Sequence, residues 1–395
     1  MFARVLANPP ADCKVSPSLE AFLRAEIARA GPISWARFME VALYHPEHGY
    51  YERDPNVVGR RGDFYTSVSV GELFGQLLAC QFATWLEERG MADAPLQIVE
   101  AGAHDGQLAA DLLAWLQRWR PALWARLEYW ILETSARRQA WQRERLSAFA
   151  PRVRWFAGWT EIPASGVEGV IFANELLDAF PMHRLAWGAD EQRWIEWGVH
   201  WEDGRFGWTP LPRLEPAVAM LTDPTAALRD LDAAQRPAAW RAIAPLLPDG
   251  FILERAPSAE LWWAEAASRL RNGRLLTLDY GHLHGTALHP AKPNGTLRAY
   301  RNHQLMADLL AAPGSQDITA HVDFAGVARA GERAGLTTVE LTEQSRFLTR
   351  IAQRTMQAPE TFGEWTRART RQFQTLAHPD HLGRSFAALV QARGA

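Results

Sequence analysis

The chain has 395 residues, 48% of them hydrophobic, with a formal net charge of −3. That length holds two or three domains or one large α/β domain with insertions, and the near-neutral balance gives no electrostatic case for nucleic acid as a partner. No apolar run reaches about 18 residues, which excludes a membrane-inserted helix. Cys13 and Cys80 lie far apart and form no C-x-x-C pair. With an N-terminus too short in apolar run for a signal peptide, they read as reduced thiols of a cytoplasmic protein.

Residues 17–45 read as two helices broken at Gly31-Pro32. Leu19, Phe22, Leu23 and Ile27 share one face, Trp35, Phe38, Met39 and Leu43 another, and Ser34 can cap the second. Tyr44–Tyr51 and Gly59–Ser67 read as loops. Small polar residues flanked by glycines let backbone approach a ligand, so Asp63 and Thr66 are candidates to cover a cofactor, with a plain surface loop as the alternative. An apolar-striped helix over residues 71–90 follows.

The pattern that organises the chain spans Leu96–Trp115. A short apolar run stops at Glu100, a loop carries Gly102 and Gly106, and Leu108, Leu112, Leu113 and Leu116 then recur at helical spacing. A strand, a tight turn and a helix in this order place free backbone N–H groups at the carboxyl end of a strand, where open α/β sheets bind ligands. A dinucleotide fingerprint, G-x-G-x-x-G, fails here because His104 and Gln107 occupy its second and third glycine positions. Glu100 would also repel a pyrophosphate and attract an ammonium group. Opposite unit charges about 4 Å apart gain roughly 4 kcal/mol at an effective dielectric near 20, before desolvation. A cationic, zwitterionic cofactor such as S-adenosylmethionine fits Glu100, Gly102 and Gly106 better; two glycines that merely make a loop are the alternative.

Leu127–Leu132 reads as a second strand ending at Glu133, an acid placed to accept both ribose hydroxyls, or else to cap the helix that starts near Ser135. Val153–Phe156 is a third strand, after which Trp159 either stacks on an adenine or packs in the core. The fourth strand, Gly169–Ala173, empties into Asn174-Glu175-Leu176-Leu177-Asp178-Ala179-Phe180-Pro181. Methyl transfer from a sulfonium is an in-line displacement, so the protein must align the reactants and exclude water. A guanidinium acceptor arrives protonated, and two carboxylates can clamp its fork and help remove the proton. Glu175 and Asp178 are the candidates, and the Asn174 amide can hold the cofactor's amino acid end. A strand end at Asn174 and a helix cap at Asp178 are the plain alternative.

Residues 182–212 alternate apolar and polar around Trp194, Ile195, Trp197 and Val199, with a turn at Asp203-Gly204, which predicts an antiparallel excursion. Residues 213–247 read as mostly helical, 251–254 as a strand, 259–270 as a helix and 273–278 as a strand, and 284–302 as a long, lid-like loop. His282, His284, His289 and His321 lack metal-ligand spacing, so no metal is expected. Helices are predicted at Gln304–Leu310 and Phe324–Gly335, a last strand at Val339–Leu341 and a polar helical tail from Ser345. The implied division is 1–90, helical with a cofactor-covering loop; 91–181, cofactor-binding; 182–248, a hairpin and helical insertion; and 249–395, the second half of the sheet with C-terminal helices.

Several segments together resemble the MidA family of S-adenosylmethionine-dependent methyltransferases, which includes the mitochondrial complex I assembly methyltransferase and bacterial relatives. They are Tyr44-His45-Pro46-Glu47-His48-Gly49-Tyr50-Tyr51, Gly62-Asp63-Phe64-Tyr65-Thr66-Ser67, Asn174 to Pro181, Leu278-Asp279-Tyr280-Gly281, Gly295 to Arg301 and Asp317 to Phe324. The resemblance implies an α/β fold, a Rossmann-like seven-stranded class I methyltransferase sheet with helical and β-hairpin insertions. It also implies S-adenosyl-L-methionine as cofactor and a protein substrate, with an arginine of a partner such as a respiratory complex subunit as acceptor in the mitochondrial branch. The family's glycine loop resembles E-x-G-x-G-x-G. His104 stands at its middle glycine, where a side chain either folds away from the ligand, narrows the pocket or sets an imidazole beside the cofactor carboxylate, and Ser69 stands where the family has an acid. The competing readings are an assembly or binding factor that keeps the fold without turnover, and an NAD-dependent dehydrogenase.

Overall fold

The computed structural model describes residues 18–53, 66–88, 95–212, 228, 231–283, 292–302, 304–378, 382–383 and 385–394. They fall into two compact units: Asp54–Leu177 with Trp262–Leu283 and Ala328–Ala395, and Met1–Arg53 with Asp178–Leu261 and His284–Val327.

The first unit is built on a seven-strand path: β1 (Leu96–Ala101), β2 (Leu127–Leu132), β3 (Val153–Phe156), β4 (Val167–Asn174), β5 (Leu270–His282), β6 (Thr337–Glu343) and β7 (Phe386–Arg393). Their order is β3-β2-β1-β4-β5-β7-β6. The first five run parallel, and β7 lies antiparallel between β5 and β6. All six residues of β1 are buried, the polar Gln97 and Glu100 among them, as expected of a strand covered on both faces. The helix α1 (Leu73–Glu87) and the helix α2 (Gln107–Trp119) supply Leu77, Phe82, Leu108, Leu112, Leu113 and Leu116 to one core with Ile98, Ile131 and Phe172. Winding reverses between β1 and β4, whose ends are in register at Ala101 and Ala173. That reversal makes the carboxyl ends of these two strands the topological switch point, the place such sheets offer a ligand.

Two sequence expectations fail in the fold. The tail is not helical to its end: Phe386–Arg393 is the buried seventh strand. A short continuous apolar run does not distinguish a core strand from a helix segment by periodicity. Gln304–Leu310 is not a helix either; Gln304–Leu305 is a strand that pairs with Arg298–Arg301, and the chain then bends.

The second unit is largely antiparallel. Arg193–Glu202 pairs with His183–Gly188, Arg205–Pro210 and Ile33–Ser34, and His183–Gly188 pairs with Ile252–Arg255. Asp203 and Gly204 both take positive φ, 51° and 78°, the left-handed pair that a two-residue hairpin needs. Trp187 and Trp194 face each other in register and bury against Leu253 and Phe251. Among the described residues no helix is long and apolar enough to cross a membrane.

Candidate active site

The sequence-predicted residues from Glu100 to Glu175 lie at or just past the carboxyl ends of β1 to β4. Gly102 and Gly106 both have positive φ, 73° and 84°, and Gly106 opens α2 in the left-handed conformation. At Gly102 the requirement is also one of space. A Cβ there would lie 2.8 Å from Leu176 Cδ1, so the absent side chain lets the loop after β4 approach the turn. His104 lies between them with φ 47°. The left-handed region costs an ordinary residue about 1–2 kcal/mol, less where Asn, Asp or His sits. The backbone at position 104 therefore has the shape a glycine favours. Its imidazole points toward Asp105, 3.7 Å away. Burial opposes ionisation of Asp105, but His104, Arg145 and Gln107 outweigh it and hold the carboxyl below its ordinary value.

Glu100 is buried in β1, where its Oε2 accepts from the Tyr129 hydroxyl at 2.6 Å. Burial pushes its carboxyl up to about 8, against the Tyr129 bond, with Asp105 and Asp111 adding to the rise. At neutral pH Glu100 therefore holds its proton, and an adjacent ammonium group would favour its release.

Glu133, just past β2, is buried and well supplied with donors. Its Oε1 accepts from the Ser135 N–H at 2.9 Å and from Arg138 at 3.1 Å, and its Oε2 from Gln142 at 3.3 Å. Three donors leave a carboxylate, with about four lone-pair sites, room for a further hydroxyl. Trp159 is buried and its ring lies 5.3 Å from that of Trp262.

The loop after β4 is held from three sides. Asp279, fully buried in β5, accepts the backbone N–H groups of Leu176 at 3.1 Å and Leu177 at 2.7 Å through Oδ2. The Leu278 carbonyl accepts from the Glu175 N–H. Glu175 itself has φ 50°, and its Oε1 receives the Ser67 N–H at 3.0 Å and the Asn174 amide at 3.1 Å. The Thr66-Ser67 segment, 108 residues away in sequence from this carboxylate, is thus its anchor. Thr66 and Ser69 close on each other through reciprocal bonds of 3.0 and 3.1 Å, which is what Ser69 does at the position of the family's acid. Gln344 donates to Ser67 Oγ at 3.3 Å. Sequence reasoning missed Ser67, Arg138, Gln142, Asp279 and Gln344 as parts of this network; only Ser67 and Asp279 lay in the motifs quoted above.

Asp178 falls in the second unit, buried, with its carbonyl accepting from the Ala320 N–H. It lies in the field of Tyr51, a phenol pushed well above its ordinary value by burial, then by Asp317, Tyr44 and Asp178. Asp63 lies outside the described residues, as do His284 and His289.

A methyl-donor cofactor with an amino acid end needs polar groups near the carboxyl ends of the parallel strands that the protein leaves available. Asn174 Oδ1 and Trp159 Nε1 are both buried without a hydrogen-bond partner among the described residues, and an orphaned buried polar atom costs about 1–3 kcal/mol. These two orphaned atoms fit such a group, while the space at Gly102 is taken by Leu176.

Comparison with known proteins agrees. Residues 77–342 match the family described as "Putative S-adenosyl-L-methionine-dependent methyltransferase". The chain is 30% identical to the mouse protein arginine methyltransferase NDUFAF7, mitochondrial, over 84% of this chain and 74% of that protein. It is 29% identical to the Drosophila melanogaster homolog of that methyltransferase, also mitochondrial, over 85% and 75%. A Burkholderia thailandensis crystal structure bound to S-adenosyl-homocysteine is 32% identical with a TM-score of 0.77, covering 95% of this chain and 92% of that one. The cytoplasmic expectation is overturned by these relatives, whose names place them in mitochondria.

Proposed function

The chain belongs to this family of S-adenosyl-L-methionine-dependent methyltransferases, and on that premise we propose that its acceptor is a guanidinium nitrogen of an arginine in a partner protein. The names of the fly and mouse relatives support the arginine. The observation that carries the reading is the Glu175 carboxylate, held at the mouth of the switch point on a left-handed residue by the Ser67 N–H and the Asn174 amide. Local strain of this kind, about 1–3 kcal/mol, persists only where surrounding structure enforces it. As the partner class we propose a respiratory complex subunit, following the family resemblance.

In this reading Glu100, Gly102, His104 and Gly106 form the wall against the amino acid end, Glu133 accepts the ribose hydroxyls, Trp159 lies toward the adenine, and Thr66 covers the site. Asn174 offers its unpartnered Oδ1 to the ammonium group. The cofactor supplies an electrophilic methyl group on a sulfonium sulfur. The acceptor nitrogen gains the N–C bond as the C–S pair returns to sulfur, and the guanidinium must shed one proton. Glu175 orients the guanidinium fork and takes that proton, a contribution of about 10²–10⁴ in rate, and Asp178, three residues on in the same sequence motif, is proposed as the second carboxylate.

The test separates binding from transfer. Glu175→Gln and Asp178→Asn should each keep the dissociation constant of S-adenosylhomocysteine, by calorimetry, within about 3-fold, and lower methyl transfer by about 100-fold or more. Transfer is read by mass spectrometry of arginine methylation in respiratory complexes from cells carrying each variant. Unchanged methylation in both variants would discard the clamp.

A further inference from the structure

Gln142 is a polar residue with no solvent exposure at all, on the helix α3 (Ala136–Arg145). A carboxamide buried that completely is expensive unless its donors and acceptor are all used, and here they are. Its Nε2 donates to the backbone carbonyl of His104 at 2.9 Å and to Glu133 Oε2 at 3.3 Å, and its Oε1 accepts from Trp155 Nε1 at 3.0 Å. Its Cα would lie 3.5 Å from a Cβ placed on Gly106, so the backbone of α3 packs directly on the glycine turn. One side chain thus ties together the turn after β1, the carboxylate after β2 and the ring on β3.

We propose that Gln142 is the positioning residue of the cofactor site: it sets the spacing between the glycine turn and the ribose carboxylate and so fixes cofactor affinity without touching the cofactor. The inference rests on the reading of Glu133 and residues 102–106 as the cofactor-binding groups. Two consequences follow from its bonds. The donor to the His104 carbonyl holds a left-handed residue in place where the family has glycine, so the turn keeps its shape with a side chain at position 104. The donor to Oε2 leaves Oε1 to Ser135 and Arg138, which orients the carboxylate plane. Arg138 and Gln142, four apart on one helix face, therefore address different oxygens of the same acid.

The test uses the full chain and titrates S-adenosylhomocysteine by calorimetry at neutral pH. Gln142→Leu removes all three bonds, and Gln142→Glu keeps the volume and the Trp155 bond but can donate to neither His104 nor Glu133. Both should weaken S-adenosylhomocysteine by about 10-fold or more, the scale of one lost hydrogen bond to a charged group. 5′-Methylthioadenosine, which keeps the ribose and lacks the amino acid, should weaken alongside. Thermal melts identify the folded variant, and Gln142→Glu carries the result if Gln142→Leu does not fold. A merely structural glutamine would lower the melting temperature and leave the affinity of the folded fraction alone. Folded variants that bind within about 2-fold of wild type overturn the proposal. A wild-type protein that binds neither compound overturns the underlying cofactor reading and the proposal with it.

Discussion

Glu100 is where charge chemistry and folding meet. Its carboxyl, raised by burial to about 8 from an ordinary 4.5, binds a proton in the folded chain that the unfolded chain gives up. Stability from this group is therefore fully present below about pH 4.5 and is lost as pH rises through 8, with a slope of up to about 1.4 kcal/mol per pH unit. Asp111, raised by burial to about 6, acts in the same sense and is still half-protonated at that pH, and His45, lowered by burial from 6.5, acts in the opposite sense, so the window from 7 to 8 reads Glu100 most cleanly. Urea unfolding at pH 7, 7.5 and 8 should show the wild type weakening and Glu100→Gln staying nearly level. A variant that keeps the wild-type slope would show that other groups set it. The acid was readable in the sequence as a strand-tip carboxylate; its protonation was not, because that is set by burial working against the bond from Tyr129, 29 positions away in sequence.

The loop after β4 shows the same division at the scale of an element. Its residues announce themselves by following an apolar run with Asn174 and Glu175, yet what gives the loop its shape comes from β5. Asp279 accepts the Leu176 and Leu177 N–H groups through Oδ2 and the Tyr280 N–H through Oδ1 in a fully buried setting, so Asp279→Ala leaves both loop donors without this acceptor. The expected cost is about 2–6 kcal/mol, from about 1–3 kcal/mol for each of the two loop groups left unsatisfied, read as a lowered urea midpoint. Asp279→Asn, which keeps an acceptor oxygen, should cost less than half as much. Equal losses in the two variants would mean that charge rather than acceptor geometry matters. Strands β1 to β4 and the glycine turn were readable because each is a local pattern of period and punctuation. The partners that hold them, Ser67 to Glu175 and Gln142 to Glu133, belong to contacts between elements, which no local pattern encodes.

For the molecule as a whole the element that local reading misplaced is the one that completes the large sheet. Phe386–Arg393 sits antiparallel between β5 and β6, paired along its length with both. Without it β6 has no partner on that side and β5 becomes an open edge, the kind of unpaired strand that templates aggregation. Phe386, Leu389 and Val390 are almost wholly buried, and at about 1.5–3 kcal/mol for each large apolar side chain they contribute about 5–9 kcal/mol. Net stabilities are about 5–15 kcal/mol, so removal of residues 385–395 should leave a chain that does not fold cooperatively. The expected outcome is loss of the sigmoidal thermal transition and rapid proteolysis at the glycine turn, with Leu389→Asp giving the same result without shortening the chain. A truncated protein that melts cooperatively and still binds S-adenosylhomocysteine would mean that the parallel strands alone carry the fold. The mixed path favours the other outcome, because β7 joins β6, the last strand of the path, to the parallel set.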